Sequence, residues 1–261
     1  LSVKAKKHLG QHFLTDENIA AKIVHSLLQE QIPNILEIGP GMGVLTKYLL
    51  QKDKALFLAE IDSESIAYLK DHYPTLTDHN FVGDFLKTDF GFTNGEPLTV
   101  IGNFPYNISS QILFKIIAHY TQIPEMAGMF QKEVAERTAA VPRTKDYGIL
   151  SVMVQAYYDV KYLFTVNENV FNPPPKVKSG VIRLTRNPKP GLEGNEILFK
   201  NIVKTGFNQR RKKLSNALKI LNIPENLKNH PFLGKRAEEL SVEEFISFAT
   251  EWKKAADQSA S

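Results

Sequence analysis

The 261-residue chain carries 32 Lys+Arg against 28 Asp+Glu, is 43% hydrophobic and contains no cysteine. That length admits one large domain or two modest ones, and the apolar content is ordinary for a chain that fills a core. Disulfides and cysteine-based zinc sites are excluded, no apolar run reaches the length of a membrane span, and a cysteine-free chain suits a cytoplasmic location. Charge is unevenly placed. Residues 1–186 hold 19 Lys+Arg and 19 Asp+Glu, so the net charge of +4 falls entirely in residues 187–261, with 13 against 9.

Residues 1–16 read as an extended basic arm in which Lys4, Lys6 and Lys7 lead into a polar stretch rather than an apolar leader. A helix is predicted to start near Thr15 or Asp16, with Ile19, Ile23, Val24, Leu27 and Leu28 on one face. From about Asn34 to Phe130 strand and helix patterns alternate, which predicts an α/β domain on a parallel sheet. Its first strand runs through Glu37 and Ile38 into Gly39-Pro40-Gly41-Met42-Gly43, where glycine permits a tight turn and close approach of backbone to a ligand. The dinucleotide fingerprint would need its third glycine at Val44, and no Gly-Lys-Ser/Thr follows, so nicotinamide, flavin and P-loop readings are disfavoured. The E-x-G-x-G-x-G form is the one associated with S-adenosylmethionine.

Three further strand ends carry polar chemistry. Glu60 follows the run Ala55–Ala59, about 20 residues after the first glycine, where a doubly wound fold places its ribose-binding carboxylate. Asp84 follows Phe81-Val82-Gly83, read as a third short strand, and is positioned to accept from an adenine amine. Asn103-Phe104-Pro105-Tyr106 closes the strand Leu98–Gly102. The Asn103 amide oxygen and the Pro105 carbonyl are two acceptors suited to an exocyclic amine, and Tyr106 can stack on the ring. Ligands of parallel α/β sheets bind at the carboxyl ends of the strands, so these positions converge on one site.

Residues 131–147 read as a helix and a mobile loop, and Gly180–Leu184 as a later strand. Between them Phe171 precedes Asn172 and three prolines, an extended stiff mount for an aromatic. Asn187-Pro188-Lys189-Pro190-Gly191 marks the domain boundary, giving domains 1–186 and 187–261. Beyond it Ile197, Ile202, Val203, Phe207, Leu214, Leu218 and Leu221 recur at helical spacing, Ser241 and Glu244 form a capping box, and the tail after Lys254 is polar. The second domain is predicted to be all-helical, and its cluster Arg210-Arg211-Lys212-Lys213 is a footprint of phosphate-backbone contact.

Taken together, the chain resembles the KsgA-type ribosomal RNA small subunit adenine dimethyltransferases over nearly its whole length. The matching pieces are residues 7–14, the glycine motif, residues 103–109 and Phe171–Val177, then Phe207–Leu214 and Arg236–Leu240, all in the family's order. His12 stands where the family more often has Asn, and Phe104 where it more often has Leu. The resemblance implies a Rossmann-like S-adenosylmethionine-dependent methyltransferase domain with a small C-terminal helical domain, and no metal. It implies two adjacent adenosines near the 3′ end of small-subunit (16S) rRNA as target, each methylated twice. The expected partner is the small ribosomal subunit, and the protein is expected to act as a monomer.

Gly39 and Gly41 are assigned to backbone approach to the cofactor, Glu60 to its ribose hydroxyls and Asp84 to its adenine amine, with Asn103 shared between cofactor and base. The resemblance adds His12 and Leu14, from the arm, as a lid. Tyr106 and Phe171 are assigned to the two faces of an aromatic clamp on a base drawn out of its stack. Two rival readings share this scaffold: a large-subunit methylase of the erythromycin-resistance type, and a mainly non-catalytic ribosome-assembly factor.

Overall fold

The computed structural model describes residues 3–188, 190–192 and 194–259. Lys189 of the predicted boundary, the first two residues of the predicted first domain and the last two of the polar tail lie outside the described residues. By internal contacts the chain forms two compact units, 1–136 with 159–186, and 137–158 with 187–261. Residues 137–158, read from sequence with the first domain, thus group with the second unit. Their anchor there is Tyr147, whose hydroxyl donates to the Leu240 carbonyl at 2.9 Å and whose ring meets Phe207.

The first unit is built on β2 (Asn34–Ile38), β3 (Ala55–Ala59), β4 (Leu98–Asn103), β5 (Glu125–Gln131), β6 (Tyr158–Val166) and β8 (Ser179–Arg186). They form one sheet in the order β3-β2-β4-β5-β8-β6. The first four run parallel, and β8 is antiparallel to β5. Every residue of β2 is buried, as expected for a parallel strand covered on both faces by helices. The expected third strand shrinks to a single parallel bridge between Leu58 and Phe81. Left-handed Gly83 (φ +72°) turns the chain away two residues later.

Helix α1 (Glu17–His25) starts where predicted, because Asp16 accepts the Ile19 N–H at 3.0 Å. It buries Ala20, Ile23 and Val24, but Leu28 of the predicted face is 57% exposed. The helix stops short of it, since the buried Glu125 carboxylate takes the backbone N–H groups of Leu28 and Gln29 at 2.8 and 3.1 Å. The remaining helices of this unit include α2 (Thr46–Leu49), α3 (Ser63–His72), α4 (Ser109–Ala118) and the start of α5 (Lys132–Ala139).

A second, two-stranded sheet was not anticipated. Strand β1 (Phe13–Leu14) pairs antiparallel with β7 (Phe171–Asn172), setting Leu14 opposite Phe171. The basic arm is therefore stitched to the Pro-rich loop, with the Thr15 N–H also donating to the Val170 carbonyl at 2.8 Å.

The second unit contains α6 (Ile149–Gln155), α7 (Glu196–Asn208), α8 (Leu214–Ala217) and α9 (Val242–Ser259). The predicted capping box is present: the Glu244 N–H donates to Ser241 Oγ at 3.1 Å, and the Ser241 N–H to Glu244 Oε2 at 2.8 Å. The predicted helical run from Leu214 to Leu221 instead breaks after Ala217 into a 3-10 turn that ends at left-handed Asn222.

Candidate active site

The ends of β2, β3 and β4 and the turn after the Leu58–Phe81 bridge open into one cavity of about 190 Å³ in the first unit. Its lining includes His12, Gly39, Gly41, Glu60, Asp84, Asn103, Pro105 and Tyr106. Eight of the predicted site residues, spread over nearly a hundred positions of sequence, are thus brought together.

The glycines shape the floor. Gly39 and Gly41 have φ of +65° and +56°, in the left-handed region that disfavours side chains. A Cβ on Gly41 would also meet the Phe13 ring at 2.8 Å. Only glycine leaves the loop this shape and this close to the cleft.

Glu60 is 6% exposed. Its Oε1 accepts from the N–H groups of Ile61 (2.8 Å) and Asp62 (2.9 Å), and its Oε2 lies 3.4 Å from the Gly41 nitrogen. Burial raises its pKa, and the three backbone donors oppose that rise. Asp84 is more open and uses one oxygen to accept the Leu86 N–H at 2.9 Å.

Phe104 sets the geometry of the segment Asn103–Tyr106. It is buried against Phe130, with ring centroids 4.6 Å apart, and lies over Gly102 and Gly128. A Cβ on either glycine would strike its ring or the neighbouring backbone, so the pocket beneath Phe104 exists because both positions lack side chains. With Phe104 locked inward, Asn103 and Pro105 line the cavity. The Asn103 Nδ2 donates to the His12 carbonyl at 2.8 Å. That bond leaves Oδ1 as the acceptor of the slot. The Pro105 carbonyl is partly engaged, by the Ile108 N–H at 3.3 Å and Ser109 Oγ at 3.4 Å. Both are long, and one carbonyl oxygen accommodates more than one donor.

The Tyr106 hydroxyl pairs with Ser179 Oγ at 2.5 Å, and burial raises its pKa. Its ring lies 5.4 Å from that of His12, tilted by 31°. The His12 Nδ1 is 2.8 Å from the Pro173 carbonyl, a partner that can only accept, so this nitrogen carries the proton.

Two predicted residues lie elsewhere. Leu14 is buried and lines a smaller adjoining cavity together with Glu37 and Met42. Phe171, expected on one face of the aromatic clamp, is 4% exposed and packs in the hydrophobic core with Leu14, Val166 and Val181. Its pairing with β1 draws it inward, away from the lining of the main cavity.

The sequence reading missed several residues that shape the site. Asp62 carries only the local signal of a helix cap before α3, where it accepts the Glu64 N–H. Gln11 was visible within the arm motif but had no assigned partner. Ser179 has no sequence signal as the partner of Tyr106, 73 residues away. Glu37, named from sequence as the acid of the glycine motif, is not among these: it is fully buried, lines the smaller cavity rather than the main one, accepts the Thr46 hydroxyl at 2.6 Å, and is pushed up to about 8 by burial.

In the second unit the basic cluster divides. Arg210 is occupied: its Nε pairs with Glu238 at 2.5 Å, and its terminal nitrogens donate to the carbonyls of Lys145 and Thr144 at 2.9 and 3.0 Å. Arg211, Lys212 and Lys213 are exposed.

A glycine turn, a buried carboxylate after the second strand and an Asn-x-Pro-Tyr slot on a mostly parallel sheet define an S-adenosylmethionine-dependent methyltransferase. The family described as ribosomal RNA adenine dimethylase matches residues 2–254, and the chain belongs to it. It is 56% identical to "Ribosomal RNA small subunit methyltransferase A" of Cytophaga hutchinsonii, over 94% of this chain and 95% of that protein. The protein of the same name from Bacteroides thetaiotaomicron is 53% identical over 97% and 96%. Among solved structures, a dimethyladenosine transferase from Plasmodium falciparum superposes with a TM-score of 0.79 at 29% identity, covering 94% of this chain and 98% of its own. The 23S rRNA methyltransferase ErmE shares the fold, with a TM-score of 0.71 at 24% identity over 92% and 99%.

Proposed function

We propose that the chain transfers methyl groups from S-adenosylmethionine to the exocyclic amines of two adjacent adenosines in the 3′-terminal hairpin of small-subunit (16S) rRNA, giving dimethyladenosines during subunit biogenesis. The single observation that carries the chemistry is the Asn103 amide, fixed by His12 so that its oxygen is left for an amine N–H.

The cavity suits the cofactor. Its glycine floor allows close approach, and its two carboxylates match a nucleoside's hydroxyls and amine. Glu60 would hold the ribose hydroxyls and Asp84 the adenine amine, with Gly39 and Gly41 beneath and the arm above through His12 and, from the adjoining cavity, Leu14. When bound, the sulfonium supplies the activated methyl group, so the reaction asks for no metal.

The protein's own part is positioning. Asn103 Oδ1 and the Pro105 carbonyl accept the two N–H groups of the target amine. This favours a tetrahedral nitrogen whose lone pair is free to attack, and it stabilises the positive charge that builds there. Tyr106 offers a stacking face, and its hydroxyl bond to Ser179 keeps the ring in place. Phe171 would act as the opposite face only after leaving its core position, so we assign the first base contact to Tyr106 alone.

The exposed Arg211, Lys212 and Lys213 are assigned to the RNA backbone. The protein acts in the cytoplasm as a monomer on the small subunit. The relatives at 53–56% identity are named for the small subunit, which favours that target over the large one. The acceptor set lies within one cavity, which favours catalysis over a purely assembling role.

The test is methyl transfer from radiolabelled S-adenosylmethionine to small subunits lacking the adenine methylation, with large subunits and DNA in parallel, followed by nucleoside analysis. Dimethyladenosine confined to small-subunit rRNA is the expected result. Label in the large subunit, or none with cofactor still bound, would overturn it.

A further inference from the structure

The arm is closed by a side-chain clasp at the edge of the main cavity, whose lining includes Gln11. Lys6 Nζ pairs with Asp62 Oδ1 at 2.5 Å, and Gln11 Nε2 donates to Asp62 Oδ2 at 3.2 Å. Gln11 Oε1 accepts the Lys6 N–H at 2.8 Å. Gln11 therefore ties both ends of the segment 6–11 together while holding it to the head of α3. The intervening residues form a 3-10 turn, Lys7–Leu9, ended by left-handed Gly10. A Cβ on Gly10 would strike Asn107 Oδ1 at 2.8 Å, so the turn sits hard against the segment that follows Tyr106.

Asp62 is 2% exposed, and each of its oxygens accepts more than one donor. Burial alone would lift its pKa, but the bonds from Lys6, Gln11 and the Glu64 N–H, with the Lys6 charge, together outweigh that and hold the carboxyl below its usual range. The next residue after the clasp is His12, whose carbonyl receives Asn103 Nδ2.

We propose that Asp62, Lys6 and Gln11 are positioning residues for the transfer reaction: they hold the His12 carbonyl where it selects which end of the Asn103 amide faces the target amine. An asparagine side chain rotated by half a turn presents NH₂ instead of oxygen. Among the described residues the His12 carbonyl alone accepts from Nδ2, so the flip is prevented by one bond, and that bond is only as fixed as the arm that carries it. Opening the clasp frees residues 6–11 and leaves the His12 carbonyl held from its C-terminal side alone, by the ring's bond to Pro173 and the β1–β7 pairing, so Nδ2 loses a fixed partner and a donor can face the amine. This rests on the reading of Asn103 as the amine acceptor.

The experiment uses the full chain with Lys6→Ala, Gln11→Ala, Lys6→Arg and Asn103→Ala. One readout is the side-chain amide pair of Asn103 by ¹⁵N–¹H NMR, assigned by its loss in Asn103→Ala. The other is kcat and KM on undermethylated small subunits, with cofactor affinity measured alongside. Lys6→Ala and Gln11→Ala are expected to shift that amide pair and speed its exchange. They should lower kcat about 10- to 100-fold while KM for the subunit stays within about twofold, as for an interaction used only in the transition state. Lys6→Arg, which keeps the ion pair, restores both. An amide pair unmoved by either alanine variant, or an unchanged kcat while Asn103→Ala is inactive, overturns the clasp and leaves the role of Asn103 standing. An active Asn103→Ala overturns that role and, with it, the effect on kcat assigned to the clasp.

Discussion

The Asn103 side-chain nitrogen donates to the backbone carbonyl of His12 at 2.8 Å, so a residue at the end of the fourth strand takes its orientation from the N-terminal arm, 91 positions earlier. Asn103→Ala removes the acceptor and is expected to lower kcat by roughly 10²–10³-fold, the cost of deleting one preorganised polar contact to developing charge. Single-turnover methyl transfer with saturating cofactor measures it.

Tyr106 separates stacking from anchoring. Its hydroxyl is committed to Ser179, so Tyr106→Phe keeps the ring and should retain most of kcat/KM. The change leaves the buried Ser179 hydroxyl without that partner and should cost about 1–2 kcal/mol of stability, read by denaturant melts. Tyr106→Ala loses the stacking face, worth roughly 1–3 kcal/mol per base, and should lower kcat/KM about 5- to 150-fold.

Glu60 holds the loop while lining the main cavity. Glu60→Gln places an NH₂ among donors that now point at a carboxylate, the N–H groups of Ile61, Asp62 and Gly41. Cofactor affinity should weaken about tenfold or more, from the loss of a charge-assisted acceptor. Isothermal titration with S-adenosylhomocysteine checks it.

Glu37 should make stability fall as pH rises. Its carboxyl moves from 4.5 in the unfolded chain to about 8 in the fold, because burial penalises the charge. Between these values the native state holds a proton that the unfolded chain has lost, so this contribution is full below about pH 4.5 and is gone above about 8. Glu37→Gln removes the dependence. It should be near neutral at pH 5 and stabilising by roughly a few kcal/mol at pH 8. Urea melts of both proteins across that range give the answer.

The basic cluster should split into two phenotypes. Arg210→Ala breaks its bonds to Glu238, Thr144 and Lys145 and should lower Tm with little change in the salt dependence of RNA binding. Replacing Arg211, Lys212 and Lys213 with alanine should leave Tm unchanged and flatten the slope of log K against log salt, by about 0.7–0.9 for each phosphate that is no longer neutralised. RNA binding measured at several salt concentrations distinguishes them.

The sequence by itself determined the parts that are local. The glycine turn at Gly39–Gly43 and the acids at strand ends were legible because strand-then-turn patterning places them without knowledge of partners. The caps at Asp16 and at Ser241 with Glu244 were equally readable, since each bonds within three residues of itself. Tertiary structure decided what depends on distant partners. Leu14 lies opposite Phe171, Tyr106 bonds Ser179, Asn103 bonds His12, and Arg210 pairs with Glu238. None of these leaves a periodicity in the chain. Phe171 shows the consequence: a Pro-rich setting fixes an extended backbone but cannot say which side the ring takes. Pairing with the arm turned it into the core. Residue type and local spacing placed the acceptors at one end of the sheet; only long-range hydrogen bonding fixed which atom of Asn103 faces the cavity.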